Sequence, residues 1–288
     1  MVPTFVYVIS PDYETEAYVS ILTLIRSGAT VDRIVVYCIG LEGEVRSLSQ
    51  LANVEVRYVD TLSEELFLIN KAYVGEVVGE VVVLVDSDTI FVNSPDNTLS
   101  GVDWDVRARV ESSHLRWESW RKLCREIGVG RTPYVNTGFV AFRNGANQHL
   151  REEWIRLFGT VTEKVKRSPE KGPHYGDNFR WAEQMAFSLA LGERARALKE
   201  MDQRDHVFGW VTTPAECDLE NTVLFHAGRN KLFRSLAEIE GEGYVDTTYR
   251  GLRELRRFHH ATSRLYYHSN RAKVKGKEVV STLMGSFS

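Results

Sequence analysis

Residues 81–92, VVVLVDSDTIFV, change abruptly from apolar to acidic side chains, and this change is the strongest indication of the fold in the sequence. The first five residues are all apolar, a pattern typical of a central strand of a parallel sheet, buried on both faces. Asp86 and Asp88 follow directly, and in an extended chain their side chains leave the backbone on the same side. Because open α/β sheets bind ligands beyond the carboxyl ends of their strands, the pair predicts a site for Mg²⁺ or Mn²⁺. The alternative is that the two aspartates only cap a turn.

Strand and helix patterns alternate along the chain on both sides of this stretch. Strands are predicted at residues 4–9, 33–39, 54–59, 104–110, 134–142 and 222–225, and helices at residues 14–26, 42–51, 63–74, 148–166 and 178–191. Four strands separated by helices before residue 90 indicate crossover connections. The predicted fold class is α/β, a three-layer α/β/α arrangement with a mainly parallel central sheet. Neither a Gly-x-Gly-x-x-Gly turn nor a P-loop is present, so a bound nucleotide would need a metal to hold its phosphates.

Composition and cysteine usage narrow the class of protein. With 288 residues, 43% of them hydrophobic and 26% charged, the chain can bury a sizeable core as a soluble globular protein does. No membrane span is expected, and no signal peptide is expected because the apolar run at residues 4–9 meets Pro11 and Asp12. The three cysteines lack metal-ligand spacing, which predicts a reducing cytoplasm as the location.

Basic residues are concentrated near the carboxyl terminus. Residues 250–277 contain nine lysines or arginines and one acidic residue, Glu254, although the whole chain has a net charge of −3. Such a block is typical of a segment with a polyanionic partner, whether a membrane surface, a phosphorylated acceptor or a nucleic acid. A solvated helix face with a frayed tail gives the same pattern. We predict a domain at residues 1–248, followed at 249–288 by a basic helix and tail, the helix docked on the domain or lying on an anionic membrane.

Polar residues interrupt two otherwise apolar segments. Asn136, Thr137 and Gly138 fall within a predicted strand, which indicates either a bulge or the close approach of a ligand. Glu183 and Gln184 fall in a predicted helix among large apolar side chains, so at least one of them must face the apolar side or a cleft.

The last predicted strand ends in groups suited to a metal diphosphate. His226 offers a nitrogen to a metal, Gly228 permits an unusual backbone conformation, and Lys231 offers an ammonium group to phosphate. A lone histidine after a strand is, however, more often a satisfied polar residue. Trp117 and Trp120 lie among basic residues further upstream, where indole faces suit stacking on sugar rings, but core packing is expected for at least one of them.

Taken in order, these motifs resemble those of the metal-dependent nucleotide-sugar glycosyltransferases of the GT-A fold. The most similar group is glycosyltransferase family 8, the glycogenin-like and lipopolysaccharide galactosyltransferase-like enzymes, and the resemblance covers most of residues 4–233. The matching motifs are the loop at residues 10–13, Asp-x-Asp at 86–88, Asn-Thr-Gly at 136–138, Glu-Gln at 183 and 184, and His-x-Gly-x-x-Lys at 226–231. Two departures are Glu183, where the family commonly has Asp, and Leu232 with Phe233, where Pro-Trp is frequent.

The resemblance implies a role for each motif. Asp86, Asp88 and His226 would bind Mn²⁺ or Mg²⁺, and Glu183 and Gln184 would act beside the anomeric carbon. The residues implied in donor binding are Ser10, Asp12, Tyr13, Lys71, Asp86, Ser87, Asp88, Asn136, Gly228 and Lys231. The implied reaction is transfer of a sugar from a UDP-sugar, with retention, to a glycan, protein or lipid-linked acceptor. No nucleic-acid partner is expected, and the basic carboxyl terminus would allow peripheral contact with the inner face of the membrane.

Two other functions fit parts of the pattern. A sugar-nucleotide-binding protein without turnover would bind donor and metal yet release no nucleoside diphosphate. A haloacid-dehalogenase-type phosphatase also places Asp-x-Asp after a buried strand, and Gly176 with Asp177 resembles its later acidic motif. That family has Thr or Val at the fifth motif position and uses its first strand, whereas this chain has Ile90 after its fourth predicted strand.

Overall fold

The computed structural model describes residues 2–10, 13–41, 45–63, 67–111, 114–130, 132–167, 181–193, 197–228 and 231–241. The strands are β1 Thr4–Ile9, β2 Arg33–Ile39, β3 Val54–Val59, β4 Val81–Val85, β5 Thr89–Phe91, β6 Val106–Val110, β7 Val135–Arg143, β8 Leu198–Glu200, β9 His206–Phe208 and β10 Leu224–His226. The helices are α1 Glu14–Arg26, α2 Arg46–Ser49, α3 Asp96–Leu99, α4 His114–Ile127, α5 Ala146–Arg167, α6 Ala182–Glu193 and α7 Leu232–Gly241, with 3₁₀ helices at Phe67–Glu76 and Pro214–Glu216. None of the helices in these ranges combines the length and the apolar character needed to cross a membrane. The predicted boundary at residue 248, the basic segment after it, and Gly176 with Asp177 lie outside the described residues.

The central sheet has seven strands among the described residues, in the order β3-β2-β1-β4-β7-β6-β8. β4, which ends just before the Asp-x-Asp motif, is the middle strand, and all of its residues are buried. β7 runs antiparallel to β4 and β6, whereas the other neighbouring pairs are parallel. The predicted mainly parallel sheet is therefore confirmed, with β7 as its antiparallel strand.

The two faces of this sheet pack into separate hydrophobic cores. Along β1, Phe5, Tyr7 and Ile9 belong to the core that contains α1, whereas Val6 belongs to the opposite core. The opposite core contains side chains from the sheet strands together with helical side chains from the 3₁₀ helix Phe67–Glu76 and from α4, α5 and α6. Because alternate residues of a strand face opposite sides, each face of the sheet is covered, which confirms the predicted three layers.

A smaller sheet, in the order β5-β10-β9, lies beyond the end of β4. β10 pairs antiparallel with β5, so that His226 is opposite Thr89, and parallel with β9, so that His226 is opposite Phe208. This pairing brings the end of β10 next to the turn that follows β4.

Two predicted helices differ from the observed ones. The helix predicted at residues 42–51 is limited to α2 in the described residues, and the one predicted at 63–74 is the 3₁₀ helix Phe67–Glu76. This 3₁₀ helix packs tightly against α5, because a Cβ on Gly75 would lie only 2.5 Å from the Cβ of Arg151. Close contact of this kind depends on tertiary packing, which the sequence pattern does not reveal.

A chain of buried hydroxyl groups connects β1 to the segment after the Asp-x-Asp motif. The hydroxyl of Ser20 on α1 lies 3.2 Å from that of Tyr7 and 2.9 Å from that of Thr89. Thr89 in turn donates to the backbone carbonyl of Asp86 at 2.8 Å. Through these bonds α1 fixes the start of β5, and with it the turn that carries the two aspartates.

We expect Ser20→Ala to lower the free energy of unfolding by about 2 kcal/mol, because it leaves the buried hydroxyls of Tyr7 and Thr89 without the group that bridges them. Urea denaturation measures the change. Ser27→Ala, which removes a less buried hydroxyl at the end of the same helix, is the control and should cost less than about 1 kcal/mol. In a Tyr7→Phe background Ser20→Ala should cost less, so fully additive losses would contradict the hydroxyl chain.

Candidate functional site

The turn after β4 and the end of β10 meet at the carboxyl edge of the central sheet. The backbone N–H of Asp86 donates to the carbonyl of Gly138 on β7 at 2.8 Å, and the N–H of Ala227 donates to the carbonyl of Asp88 at 3.0 Å. These two bonds hold both ends of the turn. As a result, the side chains of Asp86 and Asp88 lie next to that of His226, which comes from a distant part of the sequence.

These three side chains form a group that suits a small divalent cation. Their ligand atoms all lie within 4.8 Å of one another. Nε2 of His226 is 3.1 Å from Oδ1 of Asp88 and 3.7 Å from Oδ2 of Asp86. An ion about 2.1 Å from each ligand would separate the ligands by roughly 3 to 4 Å, so the residues present fit the cation. Carboxylates suit Mg²⁺ and Mn²⁺, and an imidazole shifts the preference toward a transition metal.

Gly138 makes room for the ring of His226. A Cβ on Gly138 would lie 2.3 Å from Cε1 and 2.4 Å from Nδ1 of His226, distances that real Cβ atoms do not adopt. The pairing of β6 with β7 also shifts register between Ala108 and Val110. The polar residues 136–138 were predicted to mark either a bulge or the close approach of a ligand. The structure shows an irregular register between β6 and β7, and the group that approaches Gly138 closely is the ring of His226.

Lys71 reaches the site from the 3₁₀ helix Phe67–Glu76. Its Nζ lies 2.7 Å from Oδ1 of Asp86, 3.3 Å from the hydroxyl oxygen of Thr137 and 3.8 Å from Oε2 of Glu183. Burial of the ammonium group lowers the pKa of Lys71, but attraction to Asp86 and Glu183 outweighs it and leaves the pKa above its usual value. Lys71 is therefore a buried cation that pairs with one of the candidate metal ligands.

Glu183 is a buried carboxylate with incomplete hydrogen bonding. Its Oε2 accepts from the hydroxyl of Thr137 at 3.1 Å, whereas its Oε1 has no hydrogen-bond partner among the described residues. Burial raises the pKa of Glu183 to about 7, even though Lys71 acts to lower it. Gln184 is buried as well, so both members of the predicted pair face inward. Glu183 consequently gains or loses its proton near neutral pH.

Gln184 is held at both ends of its side-chain amide. Its Oε1 accepts from the backbone N–H of Thr137 at 3.3 Å, and its Nε2 donates to Oε1 of Glu111 at 3.3 Å. The same oxygen of Glu111 accepts from Nδ2 of Asn136 at 2.9 Å, and Oδ1 of Asn136 accepts from the N–H of Gly138 at 2.8 Å. Glu111 was not predicted as a site residue, because a glutamate at the end of a strand carries no distinguishing signal in the sequence.

His226 and Asp88 stabilise each other's charged forms. Burial lowers the pKa of His226, but the carboxylates of Asp88 and Asp86 raise it by more, so the pKa lies above its usual value. Burial likewise raises the pKa of Asp88, but His226 lowers it by more, so that pKa lies below its usual value. The candidate ligands thus form an ion pair with one another when no cation separates them.

Three further residues predicted to bind the donor lie at the same edge of the sheet. Ser10 and Tyr13 lie in the connection between β1 and α1, and β1 is the parallel neighbour of β4. Ser87 is buried between the two aspartates. Asp12 lies outside the described residues.

Gly228 and Lys231 lie in the connection from β10 to α7. Gly228 has a φ angle of 76°, in the left-handed region that favours glycine. Nζ of Lys231 donates to the carbonyl of Gly209 at 2.9 Å. In this arrangement the Lys231 ammonium group is held next to the segment that follows β9.

The aromatic side chains of β9 and of the residues after it were not predicted from the sequence as part of the site. Nε2 of His206 lies 3.4 Å from Nδ1 of His226. Trp210 is 45% exposed; its ring stacks on that of Phe208 with centroids 4.5 Å apart and lies 5.0 Å from the ring of His226. β9 has three residues, too few to give a periodic signal.

Of the two tryptophans predicted to stack on sugars or pack in the core, Trp120 packs in the core. It is buried, its Nε1 donates to the carbonyl of Thr132 at 2.9 Å, and its ring meets that of Tyr134 edge-on at 5.3 Å. The side chain of Trp117 lies outside the described residues.

No family model matches the sequence, and no curated protein matches it either. Solved structures do share its fold. The galactosyltransferase LgtC, in complex with donor and acceptor sugar analogues, matches over 87% of this chain and 99% of its own length, with a TM-score of 0.56 and 15% identity. The bifunctional glycosyltransferase WbbM matches over 88% of this chain and 51% of its own length, with a TM-score of 0.55 and 12% identity.

Mouse xyloside xylosyltransferase 1 matches over 80% of this chain and 99% of its own length, with a TM-score of 0.50 and 10% identity. At identities this low, the structural similarity establishes a shared fold only. The activity has to be argued from the site. The central β4, the acidic turn after it and the covered seven-stranded sheet agree with the resemblance noted in the sequence. The chain therefore has the GT-A fold, which it shares with these glycosyltransferases.

Proposed function

We propose that this chain is a metal-dependent hexosyltransferase that moves a sugar from a UDP-sugar to an acceptor with retention of anomeric configuration. The observation that carries the proposal is the group formed by Asp86, Asp88 and His226 at the carboxyl edge of the sheet of a GT-A fold, with Lys71 paired to Asp86. LgtC, which shares the fold, is a galactosyltransferase solved with donor and acceptor sugar analogues. That reaction class is the one this site would serve.

The charges of the site explain the need for a cation. A diphosphate entering here would meet the carboxylates of Asp86 and Asp88, and Lys71 balances only part of that charge. Mn²⁺ or Mg²⁺, when bound, would supply charge stabilisation to the departing diphosphate without the transfer of a proton. Lys231, at the start of α7, would contact the diphosphate from the side of β9, in exchange for the carbonyl of Gly209.

The donor would extend along the carboxyl edge of the sheet. Ser10, Asp12 and Tyr13 at the end of β1 would contact the uridine, and Asn136 would face the donor sugar. Gln184 is fixed at both ends of its amide before any ligand arrives, which favours a role in holding the anomeric centre in one orientation.

Glu183 bears on how retention would be achieved. Its carboxylate is 2% exposed and is bound to Lys71 and Thr137, so it is not directed at an open surface. This burial supports entry of the acceptor on the face from which the diphosphate leaves, rather than attack by Glu183 from the opposite face. In this arrangement Glu183 would keep Lys71 positioned against Asp86.

For the acceptor we propose a glycan, a protein or a lipid-linked sugar, encountered in the cytoplasm or at the inner face of a membrane. The support is the charge of residues 250–277, which lie outside the described residues. Such a segment would attract an anionic acceptor over a range of about 8 Å at physiological salt. Nucleic acid is not proposed as a partner.

We expect Asp86→Asn to abolish release of UDP from UDP-sugars and to remove the increase in melting temperature that Mn²⁺ gives the unaltered chain. The reason is that the variant loses one of two carboxylate ligands. Asp103→Asn, which alters an exposed ion pair with Lys199, is the matched control and should retain both properties. Undiminished UDP release in the presence of a chelator would contradict the proposal. Binding of donor and Mn²⁺ without UDP release would instead indicate a sugar-nucleotide-binding protein.

We expect Gln184→Ala to lower kcat by roughly a hundredfold while the Kd for UDP changes little, because a small misplacement of the reacting groups is costly and Gln184 is not a metal ligand. Steady-state kinetics and calorimetric titration with UDP measure the two quantities. Ser188→Ala, one turn further along α6, removes a buried hydroxyl that bonds the N–H of Val135, and it controls for loosening of the same helix. Equal losses in kcat and UDP binding would assign Gln184 to the donor pocket or the core.

We expect Glu183→Gln to stabilise the chain at pH 8 but not at pH 4, in the presence of a chelator. The pKa of Glu183 is raised from 4.5 to about 7 on folding, so the folded state binds this proton more tightly than the unfolded state does. The unaltered chain therefore loses stability, relative to the variant, as the pH rises from 4.5 to about 7. Above that range the free energies of unfolding of the two proteins should differ by about 3 kcal/mol. Urea unfolding at several pH values measures it. Glu152→Gln, at an exposed position on α5, should show no such divergence, and a divergence of opposite sign for Glu183→Gln would contradict the shift.

A further inference from the structure

A second imidazole, that of His206 on β9, lies on the side of His226 that faces away from the carboxylates. Its Nε2 is 3.4 Å from Nδ1 of His226, and the two ring planes differ by 19°. His206 is completely buried, and the rings of Phe139 and Phe208 meet it edge-on at 6.4 Å and 4.8 Å. The pairing of β9 with β10 sets this arrangement, because it aligns the backbones of the two strands.

The two imidazoles lie edge to edge rather than face to face. Their centroids are 5.6 Å apart, whereas the facing nitrogens are 3.4 Å apart. The distance between the nitrogens is shorter than the distance between the centroids by almost as much as two ring radii. For nearly parallel rings this is possible only if both nitrogens lie between the two centroids and the two rings lie close to one plane. The lone pair or hydrogen on each facing nitrogen is therefore directed at the other, which is the geometry of a long hydrogen bond.

The direction of this hydrogen bond follows from the other side of His226. Its Nε2 faces Asp88 at 3.1 Å and Asp86 at 3.7 Å, so Nε2 is the nitrogen that a cation held by these carboxylates would use. A neutral imidazole that binds a metal through Nε2 must carry its hydrogen on Nδ1. That hydrogen can only be donated to the atom which Nδ1 faces, namely Nε2 of His206.

His206 is arranged to accept that hydrogen. If its Nε2 is an acceptor, a neutral His206 carries its own hydrogen on Nδ1, and this Nδ1 is buried without a hydrogen-bond partner among the described residues. A buried donor without a partner is a cost to folding, and such groups call for an explanation. The guanidinium group of Arg109, which donates to the backbone carbonyl of His206 and lies against the ring of Phe208, disfavours a positive charge on His206 as well.

We propose that His206 is the positioning residue of the metal site: it accepts the Nδ1 hydrogen of His226 and so keeps the Nε2 lone pair of His226 directed at the cation. The proposal rests on the metal-dependent function proposed above. It also explains the unpartnered Nδ1 of His206. A cation bound to Nε2 of His226 leaves the hydrogen of His226 on Nδ1, and a neutral His206 that accepts this hydrogen at Nε2 must carry its own hydrogen on Nδ1.

The test compares Mn²⁺ binding by the full chain without nucleotide, measured by calorimetric titration. His206→Phe keeps a ring of similar shape but cannot accept a hydrogen bond, and we expect the Kd for Mn²⁺ to rise roughly 10- to 100-fold. His206→Gln places an oxygen near the position of the lost Nε2, and we expect it to restore the affinity to within a few-fold of the unaltered chain. Phe208→Leu, which removes a neighbouring ring but no hydrogen bond, controls for loosened packing and should change the Kd by less than His206→Phe does.

A second measurement does not depend on whether the variants fold. Long-range ¹H–¹⁵N NMR of the unaltered chain loaded with Mg²⁺ reports which nitrogen of His226 carries the hydrogen, and we expect Nδ1. A hydrogen on Nε2 of His226, or equal Mn²⁺ affinity in His206→Phe and the unaltered chain, would overturn the role of His206 while leaving the metal site intact. A chain that binds no Mn²⁺, or that binds it with an affinity that Asp88→Asn leaves unchanged, would contradict the proposed function and this inference together.

Discussion

Three carboxylates, those of the partly exposed Asp86 and Asp88 and of the buried Glu183, crowd negative charge at the carboxyl edge of the sheet. The ligand atoms of Asp86 and Asp88 lie within 4.8 Å of each other. Lys71 forms ion pairs with both Asp86 and Glu183. A buried carboxylate must be paired or protonated, because leaving it charged and alone costs more than the fold can supply. Lys71 and His226 provide the pairing, and Glu183, with its pKa raised to about 7, is the group that can take up a proton. A divalent cation would change this balance, since His226 would then serve as a ligand rather than as a counter-ion.

The elements that carry these charges are joined mainly through their backbones. β10 lies between β5 and β9, and its pairing with β5 sets His226 opposite Thr89, directly after the acidic turn. The hydroxyl of Ser20 bonds that of Thr89, so helix α1 takes part in positioning the turn that carries the candidate ligands. Displacement of any of these elements would therefore be expected to alter the distances among the candidate ligands.

The sequence predicted the fold, and most of the candidate residues were named from it, but their contacts were not. The apolar run of β4 predicted a central buried strand, and β4 is the middle strand of seven. Lys71, Glu183 and His226 were named from motifs whose order resembles that of a family, and the structure adds that Lys71 bonds Asp86 and lies beside Glu183. The antiparallel direction of β7 and the place of β9 were not predicted, since strand direction and the pairing of three-residue strands depend on tertiary contacts. His206 was missed for the same reason.

The candidate ligands differ in how firmly the fold holds them. The ring of His226 is confined on three sides. The pairing of β10 with β5 and β9 holds its backbone, Gly138 lies so close that a Cβ there would be 2.3 Å from Cε1 of His226, and His206 faces its Nδ1. Asp86 and Asp88 lie in a turn and are partly exposed, and Asp86 also pairs with Lys71. The imidazole would therefore provide the fixed ligand position for a bound cation, whereas the carboxylates could adjust to the radius of the ion. This division follows from the chemistry of the groups, because one imidazole nitrogen has a single lone pair with one direction, while a carboxylate offers several.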